Sequence, residues 1–181
     1  AGYKGMCGIE PEFIAMKYDE DGKPVKAMDN DPIKGIRPRR QAFGYDVEHS
    51  IDSMNFFKEL IDILEDLGWN LHDVVAEGAY SQFELDFHYT NLLEMADRLV
   101  FLRILLKEVA KKNNMFITFM PKPTIGDWRS GAHINFSMED IKKPGKNIFT
   151  DGKSWSKESQ HAVGGLMKHA EALTAITCST V

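Results

Sequence analysis

Residues 8–16 read GIEPEFIAM, and the alternation in this stretch decides the fold. On a strand, successive side chains point to opposite faces, so Glu10 and Glu12 share one face, about 7 Å apart in an extended chain, and Pro11 turns to the other. Two anions on one face of an apolar run repel, and an unpaired buried carboxylate is expensive. A cation between them would remove both costs.

Further along, residues 77–87 read EGAYSQFELDF. Glu77 and Glu84 flank a tight connection, Gly78-Ala79-Tyr80-Ser81, between two segments that read as strands. A hairpin there would set the two acids opposite one another. In residues 82–87 Phe83, Leu85 and Phe87 alternate with Gln82, Glu84 and Asp86, so Glu84 lies on the polar face. His133 follows in the stretch Ser130-Gly131-Ala132-His133. Taken singly, each is an ordinary feature, a solvated strand face or a hydrogen-bonded histidine. Together, four acids and one imidazole can hold two hard divalent cations. Carboxylates with a single imidazole suit Mg²⁺ or Mn²⁺ better than structural zinc, which draws on Cys and His.

The strand around Glu10 extends over residues 3–18, turns at 19–22, and has a candidate hairpin partner in PVKAM, residues 24–28. Residues 30–46, rich in Pro, Gly and Arg, read as a long surface loop. From Ile51 to Leu67 apolar residues recur at three and four, with Ser50 as a cap and Gly68 as a stop, which predicts an amphipathic helix. A second helix is expected from Asn91 to Lys112, where Asn91 and Glu94 have capping-box spacing. Its apolar stripe (Leu92, Met95, Leu99, Leu102, Leu106, Val109) suits burial against a sheet. Residues 115–120 and the SGAHINFS segment read as strands, and a third helix is expected over 157–174. Antiparallel strands beside long helices predict an α+β fold.

With 181 residues and a hydrophobic fraction of 43%, one domain over 1–181 is expected. The 22 Lys and Arg against 27 Asp and Glu give a formal charge of −5, and the basic residues form no strip, so nucleic acid is not indicated as a partner. Two cysteines, Cys7 and Cys178, make no disulfide framework and suit a reducing compartment. No apolar run approaches the ~20 residues of a membrane span, and the first residues do not read as a signal peptide. The cytoplasm is the expected location.

The motifs GIEPEF, EGAYSQFE, TFMPKP with SGAHINFS, and GGLMKHAEALTAIT, in this order, resemble the catalytic domain of glutamine synthetase. The resemblance covers almost the whole chain apart from the loop around 24–46. It implies a funnel of antiparallel strands in which two Mg²⁺ or Mn²⁺ ions bind between ATP and glutamate. By position, Glu12, Glu77 and Glu84 resemble ligands of the ion on the glutamate side, and Glu10 and His133 two ligands of the ion on the nucleotide side. Asn135, Ser137 and Tyr89 resemble positions lining the nucleotide pocket. The implied reaction transfers the γ-phosphoryl of ATP to a carboxylate, and ammonia then displaces phosphate from the acyl phosphate. Cations offset the repulsion between the two anions, so no protein nucleophile is needed and none is found. The small-molecule partners are ATP, glutamate or a related acid, and ammonia or an amine.

The match departs from the family pattern in two places. Many members carry Asn-Gly before the small-Gly-x-His run, where this chain has Asp127-Trp128-Arg129-Ser130-Gly131. Arg129 only donates hydrogen bonds and always carries charge, so with Gly131 it is a candidate substrate-binding position for a different acid or amine. The second departure is extent. The chain resembles a fragment without the family's N-terminal domain, downstream arginines or remaining ligands, and little catalysis is expected of it alone. The parent is expected to be a homo-oligomer by the same resemblance. Two other readings stay open, a guanidino kinase, which has a related catalytic fold, and a non-catalytic metal-binding module.

Overall fold

The expected long strand is present in the computed structural model, which describes residues 2–28, 44, 45, 47 and 53–178, as β1, Tyr3–Tyr18. Asp19 Oδ1 accepts the Asp21 and Lys23 N–H groups at 3.0 and 2.8 Å, closing the turn that returns β2, Pro24–Lys26, antiparallel to β1. β3, Leu71–Ala76, and β4, Gln82–Phe87, form the expected hairpin. The strand order runs β3-β4-β1-β7-β8, and β2, β5 (Thr90–Asn91) and β6 (Phe116–Thr118) also pair with β1. The fold is α+β with antiparallel strands, as the alternation predicts.

Packing divides the chain into two compact units, Cys7–Asn135 and Ala1–Met6 with Phe136–Val181. In the larger unit, helix α1, Met54–Asp66, buries Phe56, Phe57, Leu60 and Leu64. Ser50 and Ile51, expected to open this helix, lie outside the described residues. Gly68 follows its end at φ +65°, a conformation that glycine adopts freely. Helix α2, Leu92–Lys112, buries Met95, Leu102, Leu106, Val109 and Ala110. Its cap is the predicted one, since Asn91 Oδ1 accepts from Glu94 N at 3.1 Å.

The two helices cover one sheet face, where Phe13 opposes Phe83 across β1 and β4. Their rings lie 6.1 Å apart, and Phe57 meets Phe83 edge-on at 4.8 Å. Cys7, Ile9, Leu85 and Phe87 join the same core. Register on β1 and β4 therefore sends the intervening residues, Glu10, Glu12, Gln82, Glu84 and Asp86, to the other face. A slip of one residue would reverse every one of these assignments.

The smaller unit holds the rest of β7, Ala132–Asp140, and β8, Lys143–Asn147, paired as a hairpin. The helix expected over 157–174 is two helices, α3 (Lys157–Lys168) and α4 (Ala170–Thr177), separated at His169. Ser156 caps α3 by accepting from Ser159 N at 3.1 Å.

Candidate metal and ligand site

The acids gather on the face of β1 and β4 opposite the aromatic core. Glu12 and Glu84 are cross-strand partners, and continuing the antiparallel register two residues brings Glu10 to Asp86. Glu10, Glu84 and Asp86 each offer an oxygen such that all three lie within 4.8 Å of one another. Glu10 and Glu84 are sequence-predicted ligands. Asp86 was missed, although its spacing of two from Glu84 on a strand is the same signal that singled out Glu10 and Glu12.

The tight connection closes two residues tighter than the hairpin reading implies. Glu77 N donates to Gln82 O at 2.8 Å, so Val75, and not Glu77, stands opposite Glu84 on β3. A four-residue turn with Ser81 at φ +59° leaves Glu77 at the hairpin's mouth. It still feels the cluster. Its carboxyl is held above the ordinary range by burial first and then by Glu12 and Asp86, and the Gly78 N–H, followed by His133, opposes the rise.

The electrostatics of the other acids follow from their crowding. Glu84 is pushed up to about 8, first by burial and then by Asp86, Glu77 and Glu12. Asp86 is raised by burial and by Glu10. Asp86 Oδ1 is buried and has no hydrogen-bond partner among the described residues, a costly state for a carboxylate oxygen. Tyr45, from a segment expected to be a loop, faces the same cluster, and its phenol is raised by Glu77 first, then by burial, Glu84, Asp86 and Glu12. No periodic pattern marks that position. An all-oxygen set with an orphaned buried oxygen fits a hard divalent cation.

Other predicted residues divide. Asn135, a nucleotide-side candidate, donates Nδ2 to Glu10 Oε1 at 2.5 Å, so it holds an acid of the cluster. His133 is exposed. Tyr89 is 63% exposed, and its Cα stands 3.8 Å from where a Cβ on Gly8 would be. Ser137 belongs to the smaller unit. Gly131 O accepts from Glu12 N at 3.1 Å, and a Cβ on Gly131 would stand 3.3 Å from Glu12 Oε1. Arg129 is exposed, and its backbone carbonyl accepts from Gln82 Nε2 at 3.0 Å. Among the described residues its guanidinium forms no ion pair.

The family model described as glutamine synthetase, catalytic domain, matches residues 1–181. The chain is 32% identical over 183 residues to a glutamine synthetase of Rhizobium meliloti, covering 99% of this chain and 40% of that protein. A glutamate–methylamine ligase of Methyloversatilis universalis is 31% identical over 185 residues, covering 99% of this chain and 39% of that one. Among solved structures, a GmaS/ADP complex superposes with a TM-score of 0.85 at 30% identity, covering 99% of this chain and 40% of the other. The chain thus spans about 40% of the length of these relatives. No described helix is long and apolar enough to cross a membrane.

Proposed function

Because this chain belongs to the glutamine synthetase family, we propose that it carries the cation-binding core of an ATP-dependent carboxylate–amine ligase. The observation that supports this most is the Glu10–Glu84–Asp86 cluster with its orphaned Asp86 oxygen. These three would hold one divalent cation, Mg²⁺ or Mn²⁺, with Glu12, Glu77 and His133 completing the sites around it. When bound, such cations offset the negative charge that accumulates as a phosphoryl group and a carboxylate are brought together.

The chain's own residues bind and orient. Asn135 fixes Glu10, the hairpin mouth presents Glu77, and Arg129 offers a guanidinium suited to a carboxylate or phosphate. Asn135 and Tyr89 belong to the nucleotide side by family resemblance. The parent works in the cytoplasm as a homo-oligomer on small molecules, with the γ-phosphoryl of ATP passing to the acid and the amine then displacing phosphate.

Calorimetric Mn²⁺ titration of this chain and of Glu84→Gln and Asp86→Asn tests the reading. Loss of a binding step in either variant supports it. Three equal titrations refute it. A second reading, an organic amine in place of ammonia, is favoured by Arg129 and by the resemblance to a glutamate–methylamine ligase. Product formation by the full parent with methylamine in preference to ammonia would carry it, and the reverse preference would exclude it.

A further inference from the structure

We propose that Gln82 is a positioning residue, one that fixes the carboxylate of Glu12 and locks it to the 127–131 segment. The inference deepens the ligase reading and rests on it for its cation arm alone. Gln82 is 2% exposed and lies on the acid face of β4, between the hairpin mouth and Glu84.

Every polar atom of its amide is used. Nε2 donates to Glu12 Oε2 at 2.7 Å and to Arg129 O at 3.0 Å, with Ser130 Oγ at 3.5 Å. Oε1 accepts from Ala79 N at 3.0 Å in the turn. The amide cannot be flipped, because that would aim its oxygen at a carboxylate and a carbonyl, and its nitrogen at an N–H donor. Two donor hydrogens thus bridge two acceptors from distant parts of the chain.

Two consequences follow for Glu12. Oε2 is committed to Gln82, so Oε1, beside Gly131, is the oxygen left for a ligand. Gln82 also brings a donor to Glu12, as Asn135 does to Glu10, which a hydrophobic residue of the same shape would not.

The 127–131 segment is held by further contacts. Asp127 Oδ2 lies 3.1 Å from Lys26 Nζ, with both side chains largely buried, and the Trp128 ring packs so closely on Gly78 that a Cβ there would come within 2.8 Å. Arg129 and Gly131 are therefore carried on a segment whose only side-chain tie to Glu12 among the described hydrogen bonds is the Gln82 amide, beside the backbone bond from Glu12 N to Gly131 O. A change in Glu12 is transmitted to the segment that departs from the family pattern, and the reverse.

The test is a double-mutant cycle with Gln82→Met and Glu12→Gln, read by Mn²⁺ calorimetry at pH 7. Outer-shell partners of metal ligands commonly contribute 10–100-fold in affinity. Gln82→Met should weaken Mn²⁺ binding about tenfold or more in the native background and have no effect once Glu12 is changed. An equal loss in both backgrounds, or none in either, overturns the proposal.

The second arm needs no metal and serves also if Gln82→Met fails to fold. In protein labelled with 5-fluorotryptophan, the ¹⁹F resonance of Trp128, assigned with Trp128→Phe, is compared between the native chain and Gln82→Glu. The introduced carboxyl still accepts from Ala79 N. It has no N–H to offer Glu12 Oε2 and Arg129 O, so the Trp128 resonance should depart from the native one at pH 8. A native-like resonance there overturns the proposal. If the native chain takes up no Mn²⁺, the cation reading falls and the ¹⁹F comparison alone decides the role of Gln82.

Discussion

Glu84→Gln should make the chain less sensitive to pH between about 4.5 and 8. In the folded chain the Glu84 carboxyl is pushed up to about 8 from its ordinary 4.5, by burial first and then by Asp86, Glu77 and Glu12. Between those values the folded state keeps a proton that the unfolded chain has released. Stability therefore falls as pH rises through this window. Below about 4.5 both states are protonated and the penalty is absent; above about 8 it is complete.

At about 1.36 kcal/mol per pH unit, the full span from 4.5 to about 8 would amount to roughly 5 kcal/mol. Glu84 is only partly buried, so solvent screening reduces the effect to about 1–2 kcal/mol. Urea denaturation at pH 5, 6.5 and 8 in the presence of a chelator measures it. The native chain should lose about 1–2 kcal/mol more than Glu84→Gln between the lowest and highest pH. Glu77 and Asp86 are raised in the same direction, so the variant keeps some slope. Equal slopes in the two proteins would refute the argument. Saturating Mg²⁺ should stabilise the native chain more at pH 8 than at pH 5, because protons and cation compete for the same oxygens.

Three further outcomes follow from packing. Phe13→Ala removes a fully buried ring packed against Phe57, Phe83 and Phe119 and should cost about 3–5 kcal/mol by urea denaturation. Asn91→Ala deletes the α2 cap at a cost of about 1 kcal/mol, and helical circular dichroism in the native baseline should change little. Gly78→Ala places a methyl within 2.8 Å of the Trp128 ring; Trp128 must move, so its fluorescence should shift at a cost of about 1–3 kcal/mol. An unchanged Trp128 spectrum would show that the ring does not rest on Gly78.

What was legible in the sequence was what repeats with a period. Alternation in GIEPEF and QFELDF placed Glu10, Glu12 and Glu84 on one face and Phe13, Phe83 and Leu85 on the other, and the three-and-four spacing located α1 and α2. Asp86 carried the same signal and was passed over because an acid on a polar strand face is ordinary. Gln82 is less visible still, since a neutral amide among acids has no motif and its meaning lies in contacts to residues 47 to 70 positions away. Tyr45 sits in a stretch without period, at φ +64°. The break at His169 lacks glycine or proline, so periodicity runs through it.

The opposition of the two sheet faces explains how the acids can be assembled at all. Left to themselves, these crowded acids would separate, as the raised carboxyls of Glu84 and Asp86 attest. They are held by what lies beneath. Phe13, Phe83 and Leu85 are 0–1% exposed, and each contributes on the order of 2 kcal/mol of burial, against about 1–2 kcal/mol for burying and crowding Glu84. Because register couples the faces, the acids cannot move apart without unpacking the aromatics. The core thus keeps the cluster preorganised. On this argument, enlarging a cavity under β1 and β4 should loosen the cluster before it unfolds the chain. A mild core change such as Leu85→Val should therefore lower the apparent pKa of Glu84, read by ¹³C NMR of its carboxyl, while the far-UV spectrum stays native. An unaltered Glu84 titration in that variant would show that the strands, and not the packing beneath them, hold the acids together.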